Sequence, residues 1–459
     1  MKDQSTQKTA PYSSGHNLLN NRLVGGLVKS RWYPGILVWP TAFAFAFIMY
    51  ELLFGPARAH NNFGTALTWV LWWPLIPIIF VLAGRFWCGI CPFGTLNDAV
   101  QRFAGHNRPV PVFLKKYGIW IIDATFILIT WGDHVFGMVE YPWNSGVLML
   151  MITTAVVVTA VLWERRTWCR HLCFLGGVSS NYSRTGMLEL RATPEKCSQC
   201  KAAACYKGTE KAPGCPMFEF PKTMDSNAQC NLCGYCVKNC PNESITLKPR
   251  IWTRELWFVR KPRLEVTFLA VVIMGIVFVQ NITMLDVWDS ILNGLEDILH
   301  TSNFDVLFTV AFLIAMAIPI GSLALASFVA GKINGDSLIN NFTKFGYAII
   351  PLDVAGHIAH NLFHLLAEGR SVFVTGMEFA GREVSDTSPG LVGDTTIQIL
   401  QYMLIVLGVA ASLYTAYRIA RSNYPNSKSW GTVRPYAVLI VLLGIANIVL
   451  FSLPMTMRM

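Results

Sequence analysis

C-S-Q-C-K-A-A-A-C from Cys197 to Cys205, C-P at Cys215 and Pro216, and C-N-L-C-G-Y-C-V-K-N-C-P from Cys230 to Pro241 organise this chain. The last run has the spacing C-x2-C-x2-C-x3-C-P. In that spacing three thiolates hold one [4Fe–4S] cubane, and the fourth, ahead of Pro, crosses to a second. By this rule Cys230, Cys233, Cys236 and Cys215 form one ligand set. Cys197, Cys200, Cys205 and Cys240 form the other. A cubane needs four converging thiolates, three from a short loop and one distant anchor. The first half is looser. Two extra residues separate Cys200 from Cys205, and an insertion with Lys207, Lys211, Pro213 and Gly214 divides Cys205 from Cys215. Zinc or a disulfide framework would use the same residue type, although zinc sites usually show two C-x2-C pairs without paired C-P endings.

The 459 residues have a mean hydropathy of +0.42. Only 14% are charged, against roughly 25% in a soluble domain. Apolar runs long enough to cross a bilayer recur, so the expected fold is mainly α: a polytopic helical membrane protein of about nine spans with a small α+β lobe of two [4Fe–4S] clusters inserted. The net charge of +10 then reports topology rather than nucleic-acid binding. All twelve cysteines fall between Cys88 and Cys240, which fits metal ligation in a reducing compartment better than scattered disulfides.

The expected spans are 36–54, 66–84, 119–138, 146–163, 264–285, 303–330, 345–366, 397–417 and 435–453. They divide the chain into an N-terminal segment (1–35), a four-helix membrane domain (36–189), the cysteine-rich lobe (190–262) and a C-terminal module of about five spans (263–459). No removable signal peptide is read at the start. An amphipathic stretch from Asp286 to His300 is expected to lie along the membrane surface. With nine spans, the basic segments 1–35, 85–118, 164–263, 331–344 and 418–434 share one side. The acidic or short loops, including 367–396 with Glu383 and Asp386, share the other. That alternation places the cysteine lobe in the cytoplasm and the C-terminus outside.

Cys88 and Cys91 sit where the second span leaves the membrane, and Cys169 and Cys173 where the fourth leaves it. Four cysteines from two helix ends beside the cysteine lobe can converge on a third iron–sulfur centre. Alternatively they are two pairs of packing or redox-active thiols.

Over about 60–250 the chain resembles the membrane polyferredoxins of the NapH/NosR/CcoG kind. The resemblance rests on W-C-G-I-C-P-F-G (Trp87 to Gly94), W-C-R-H-L-C (Trp168 to Cys173) and the ferredoxin run. It implies a bacterial inner-membrane protein that passes electrons between quinol, or a cytoplasmic donor, and partners outside, as a subunit of a membrane redox complex. The family's second membrane motif ends C-P, whereas Phe174 stands here.

The C-terminal module has its own constellation. Asp353, His357, His360 and His364 fall within an arc of about 60° on the seventh span, in what the topology makes its outer half. Ionisable residues inside a membrane default to a functional reading. The options are a b-type haem, a quinol site or copper, with His60, His134 and His300 as partners from elsewhere. Met455, Met457 and Met459 favour the copper option, since thioethers suit Cu(I). Two functions follow: an electron-transfer subunit of an oxidoreductase serving the quinone pool or a periplasmic redox protein, or a factor that reduces copper for assembly of a metalloenzyme. A transporter ranks behind both, because no internal repeat is evident. No phosphate-binding glycine loop, Ser–His–Asp arrangement or nucleic-acid module is present.

Overall fold

A computed structural model describes residues 15–382, 384 and 390–453. Glu383, Asp386 and the three C-terminal methionines lie outside the described residues. Among the described residues, nine long helices lie at the expected spans: α1 (Gly35–Phe54); α2, built of Phe63–Thr65, a π-helical stretch Ala66–Trp72 and Trp73–Ala83; α3 (Val112–Phe136); α4 (Pro142–Leu162); α5 (Leu264–Ile282); α6 (Phe304–Asn334); α7 (Ile350–Ala367); α8 (Asp394–Asn423); and α9 (Asn426–Ser452). Among the described residues, seven helices are long and apolar enough to cross a membrane. The two outside that set, α3 and α7, carry Asp123, Asp133 and His134, or Asp353 and three histidines, and those residues lower their hydropathy. The protein is a mainly α, polytopic helical membrane protein.

α5 is the hub. Val271, Val272 and Ile273 are fully enclosed, and the helix packs against α3, α6 and α7. α7 packs in turn on α2 and on the helix Phe174–Tyr182. One continuous hydrophobic core runs from Phe80 and Phe126 through α5 to Leu439 and Phe451, joining the C-terminal module to the N-terminal helices. The Val287–Leu299 helix has no buried residue, and Trp288 rests edge-on against Phe308 of α6.

The cysteine lobe is mostly loop. Strands Leu188–Ala192 and Ile245–Pro249 pair antiparallel and close it at its base. The insertion after Cys205 is a small hairpin, Gly208–Thr209 against Ala212–Pro213, which returns the chain to Cys215. Two straps fasten the lobe. The Tyr33 hydroxyl donates to the Leu232 carbonyl at 2.7 Å, and the Leu247 N–H donates to Asn17 Oδ1 at 3.0 Å. Beneath the lobe, buried Glu255 binds Arg250, pairs with Arg184 and Arg191 at 3.7 Å each, and accepts the Asn227 N–H at 2.9 Å. These arginines hold its carboxyl down at about 2. A depressed carboxyl stabilises the fold above its unfolded value near 4.5 and loses that contribution as pH falls toward 2. Glu255→Gln leaves buried arginines uncompensated, at a cost of about 3 kcal/mol. Thermal unfolding at pH 7 should show this loss, and the gap from the native protein should narrow below pH 4.5.

Candidate metal centres

The structure gathers the twelve cysteines into three quartets. None of them is in a disulfide. Cys215, Cys230, Cys233 and Cys236 line one small cavity with Leu190 and Met224. Cys197, Cys200, Cys205 and Cys240 line a second with Phe220 and Ile245, so the irregular spacing before Cys205 is absorbed locally. Cys88, Cys91, Cys169 and Cys173 line a third, larger cavity inside the helix bundle. Burial pushes the Cys230 and Cys233 thiols up to about 12 and that of Cys205 up to about 11.

Local backbone geometry explains the convergence. Among the described residues, five of the eight non-glycine residues with left-handed φ lie within three residues of a cysteine: Arg166, Ala203, Phe218, Leu232 and Glu243. Strain of this kind persists where the surroundings over-determine it. Cys91 and Cys173 each stand at the N-cap of a helix, Pro92–Ala104 and Phe174–Tyr182. Phe174 takes the first helical position that Pro92 takes in the other motif, so the departure from C-P leaves the turn intact. The Gly176 N–H donates to Cys173 Sγ at 3.3 Å, and the Ser244 N–H to Cys240 Sγ at 3.2 Å.

Two arginines reach the membrane quartet. Arg85, 1% exposed, donates from Nε to Cys88 Sγ at 3.3 Å and from Nη2 to the Cys169 carbonyl at 3.1 Å. Arg166 donates to the Cys88 carbonyl at 3.1 Å and is held by Asp98 at 2.7 Å. Buried cations and two helix N-termini suit a centre of net negative charge. Sequence reasoning missed Arg85, although its place three residues before Cys88 was a signal.

Two glycines of the first motif are explained by close approach. A Cβ on Gly89 would meet the Asn231 carbonyl oxygen at 2.5 Å, and one on Gly94 would meet the Arg166 guanidinium at 2.2 Å. Asn231 lies between Cys230 and Cys233, so the membrane quartet and the nearer lobe quartet touch through Gly89. Arg85 also donates to the carbonyl of Ala228 and to Gln229, just before Cys230. Gly89→Val should separate the two quartets. We expect unchanged iron content with electron equilibration between lobe and membrane slowed at least tenfold, measured by stopped-flow reduction with a low-potential donor.

The α7 residues are brought together as a buried file, with a correction to their depth. Asp353 lies in the first turn, at the end of α7 beside the cysteine lobe. His357 and His360 flank the middle, and only His364 reaches the far end. The file thus runs most of the helix rather than occupying one half. His357 Nδ1 shares a 2.8 Å hydrogen bond with the Tyr182 hydroxyl. His360 Nδ1 donates to Asn281 Oδ1 at 3.0 Å, and His364 Nδ1 to Glu368 at 2.9 Å. The expected partners are elsewhere: His60 and His300 are exposed, and the His134 nitrogens meet Thr130 and Thr283. Among the described residues, no group of three or more His, Cys, Asp or Glu is placed to hold a single metal ion. A tetrahedral zinc site would draw its thiolates within about 3.8 Å of one another. A cubane, with iron at four corners, spreads them wider.

A family model described as a 4Fe-4S binding domain matches residues 65–111 and 145–186. Those segments carry Cys88, Cys91, Cys169 and Cys173. The chain is 25% identical over 190 residues to YccM of Escherichia coli (strain K12), provisionally named an electron transport protein; the match covers 36% of this chain and about half, 51%, of YccM. It is 20% identical over 215 residues to the ferredoxin-type protein NapH of the same organism, covering 42% of this chain and 71% of NapH. No solved structure matches. The resemblance to membrane ferredoxin-type electron-transport proteins is borne out. The chain is thus similar to a 4Fe-4S binding domain over two segments of its membrane part, and over part of its length to membrane ferredoxin-type electron-transport proteins.

Proposed function

We propose that each quartet holds one [4Fe–4S] cluster: Cys197, Cys200, Cys205 and Cys240; Cys215, Cys230, Cys233 and Cys236; and Cys88, Cys91, Cys169 and Cys173. Together they form a relay from the cytoplasmic lobe into the bacterial inner membrane. When bound, such clusters supply one-electron carriers. The chain's own residues do the rest. Thiols of the right number surround each cavity, Gly89 permits close approach, and Arg85 and Arg166 set the charge around the innermost set.

The observation that carries this reading is the contact of the membrane quartet with the lobe on one side and with an apolar cavity on the other. That cavity runs between α2, α3 and α4. It is lined by Trp72, Phe126 and Met149 and reaches Thr68, Ser145 and Gln280. Asp133 lines both this cavity and a pocket at the far end of α3 with His134 and Glu140. An apolar chamber with polar groups at its far end suits a lipophilic carrier such as a quinone. The far pocket suits release of protons, or a periplasmic redox partner, in a larger membrane complex. Incubating the dithionite-reduced protein with a short-chain quinone should reoxidise the membrane centre within seconds. Met149→Trp, which fills the cavity, should slow this at least tenfold. Equal rates in both proteins would sink the quinone reading.

A further inference from the structure

Below the cysteine relay, on the other side of α2, the α7 file has no role in moving electrons between quartets. Asp353 is 0% exposed, and neither of its carboxyl oxygens has a hydrogen-bond partner. His357 is 3% exposed, with Nε2 unpartnered. Further along, the buried side-chain oxygens of Asn361 and Asn447 are also without partners. His360 and His364 stack edge to face at 5.1 Å, and His364 leads to buried Glu368. Ionisable groups at membrane depth are expensive and mark proton or ion pathways. A row from the first turn of a membrane helix to just past its last is not what packing alone demands.

The row is tied to the membrane quartet by one short element. The helix Phe174–Tyr182 starts at Cys173 and ends at the tyrosine that hydrogen-bonds His357. Nine residues of helix separate Cys173 from Tyr182, about 14 Å. At an effective dielectric near 20, a unit charge at that range changes a proton affinity close to tenfold. Groups meeting α7 from its neighbours include Trp73 of α2, Asn281 of α5, Gln401 and Ser412 of α8, Asn447 of α9 and Tyr182. Of these, Tyr182 is titratable.

We propose that Asp353, Tyr182 and His357, continued by His360, His364 and Glu368, form a proton relay coupled to the redox state of the Cys88–Cys91–Cys169–Cys173 centre. An electron arriving there from a low-potential one-electron donor raises the proton affinity of the Asp353–His357 pair about tenfold and so draws, on average, up to about half a proton onto it. The electron's departure releases that fraction. Only O–H and N–H bonds form and break. This rests on the reading that the membrane quartet holds a cluster.

The test is a redox titration of the full-length holoprotein between pH 5 and 9, followed by electron paramagnetic resonance. The membrane-face signal is the one lost in Cys169→Ser. The tenfold coupling predicts a midpoint higher at the acid end by about 59 mV for this one-electron couple. Asp353→Asn should remove most of that shift. Tyr182→Phe, which keeps the ring and loses only the hydroxyl, should reduce it, and serves if the aspartate variant fails to fold. A midpoint independent of pH, or a full shift in both variants at native iron content, overturns the relay. Absence of any signal sensitive to Cys169 overturns the underlying cluster assignment instead.

Discussion

Replacing Cys169 with Ser should lower the iron content of the anaerobically purified protein by about four atoms per chain, leaving about eight. The argument is geometric. Cys169 shares its cavity with Cys88, Cys91 and Cys173 alone among the cysteines. The lobe quartets occupy separate cavities closed by their own loops. Loss of one membrane ligand therefore leaves the lobe sets intact. Electrons supplied to the lobe should still reduce its two centres but no longer reach a quinone. Were the four membrane cysteines packing thiols, the same substitution would leave iron content unchanged. The companion substitution Cys236→Ser should have the complementary signature: about four irons lost, the membrane-face signal kept, and its reduction from the lobe abolished.

Arg85→Gln should lower the midpoint potential of the membrane centre by on the order of 100 mV. The guanidinium is almost fully buried and stands 3.3 Å from Cys88 Sγ. A unit charge a few ångströms from the redox centre, at an effective dielectric near 20, is worth about 3 kcal/mol against an added electron. Removing it raises the cost of reduction by that amount. Glutamine keeps one donor for the Cys169 carbonyl, so the bundle should fold. Arg85→Lys, which retains charge without the fork, should recover most of the potential but lose the link to Ala228 and Gln229. Redox titration of the three proteins separates the charge from the packing.

How much of this was legible beforehand differs by element. The cysteine grouping was readable because cluster chemistry dictates spacing, and even the crossing of Cys240 to the Cys197 set follows from its position before Pro241. The helical membrane class was readable because bilayer thickness sets the length of an apolar run, and seven of the nine expected spans are, among the described residues, long and apolar enough to cross a membrane. α9 starts at Asn426, nine residues before the expected 435, because Pro435 sits inside the helix rather than at its beginning. What linear pattern could not supply was tertiary. Gly89 looks like an ordinary turn residue until Asn231 is placed against it. Glu255 looks like a surface charge until Arg184 and Arg191 from an earlier segment join nearby Arg250 around it. The depth of Asp353 followed from where α7 begins, because the preceding residues 346–348 form a separate 3-10 turn. The π-helical stretch Ala66–Trp72 left no mark in composition.

The most direct test of the central claim is Mössbauer spectroscopy with iron and sulfide analysis of the intact, iron-57-enriched protein prepared without oxygen. Three cubanes predict about twelve irons and as many acid-labile sulfides per chain, all in [4Fe–4S] environments. Zinc in the quartets, or fewer than about eight irons after anaerobic reconstitution, would contradict the account.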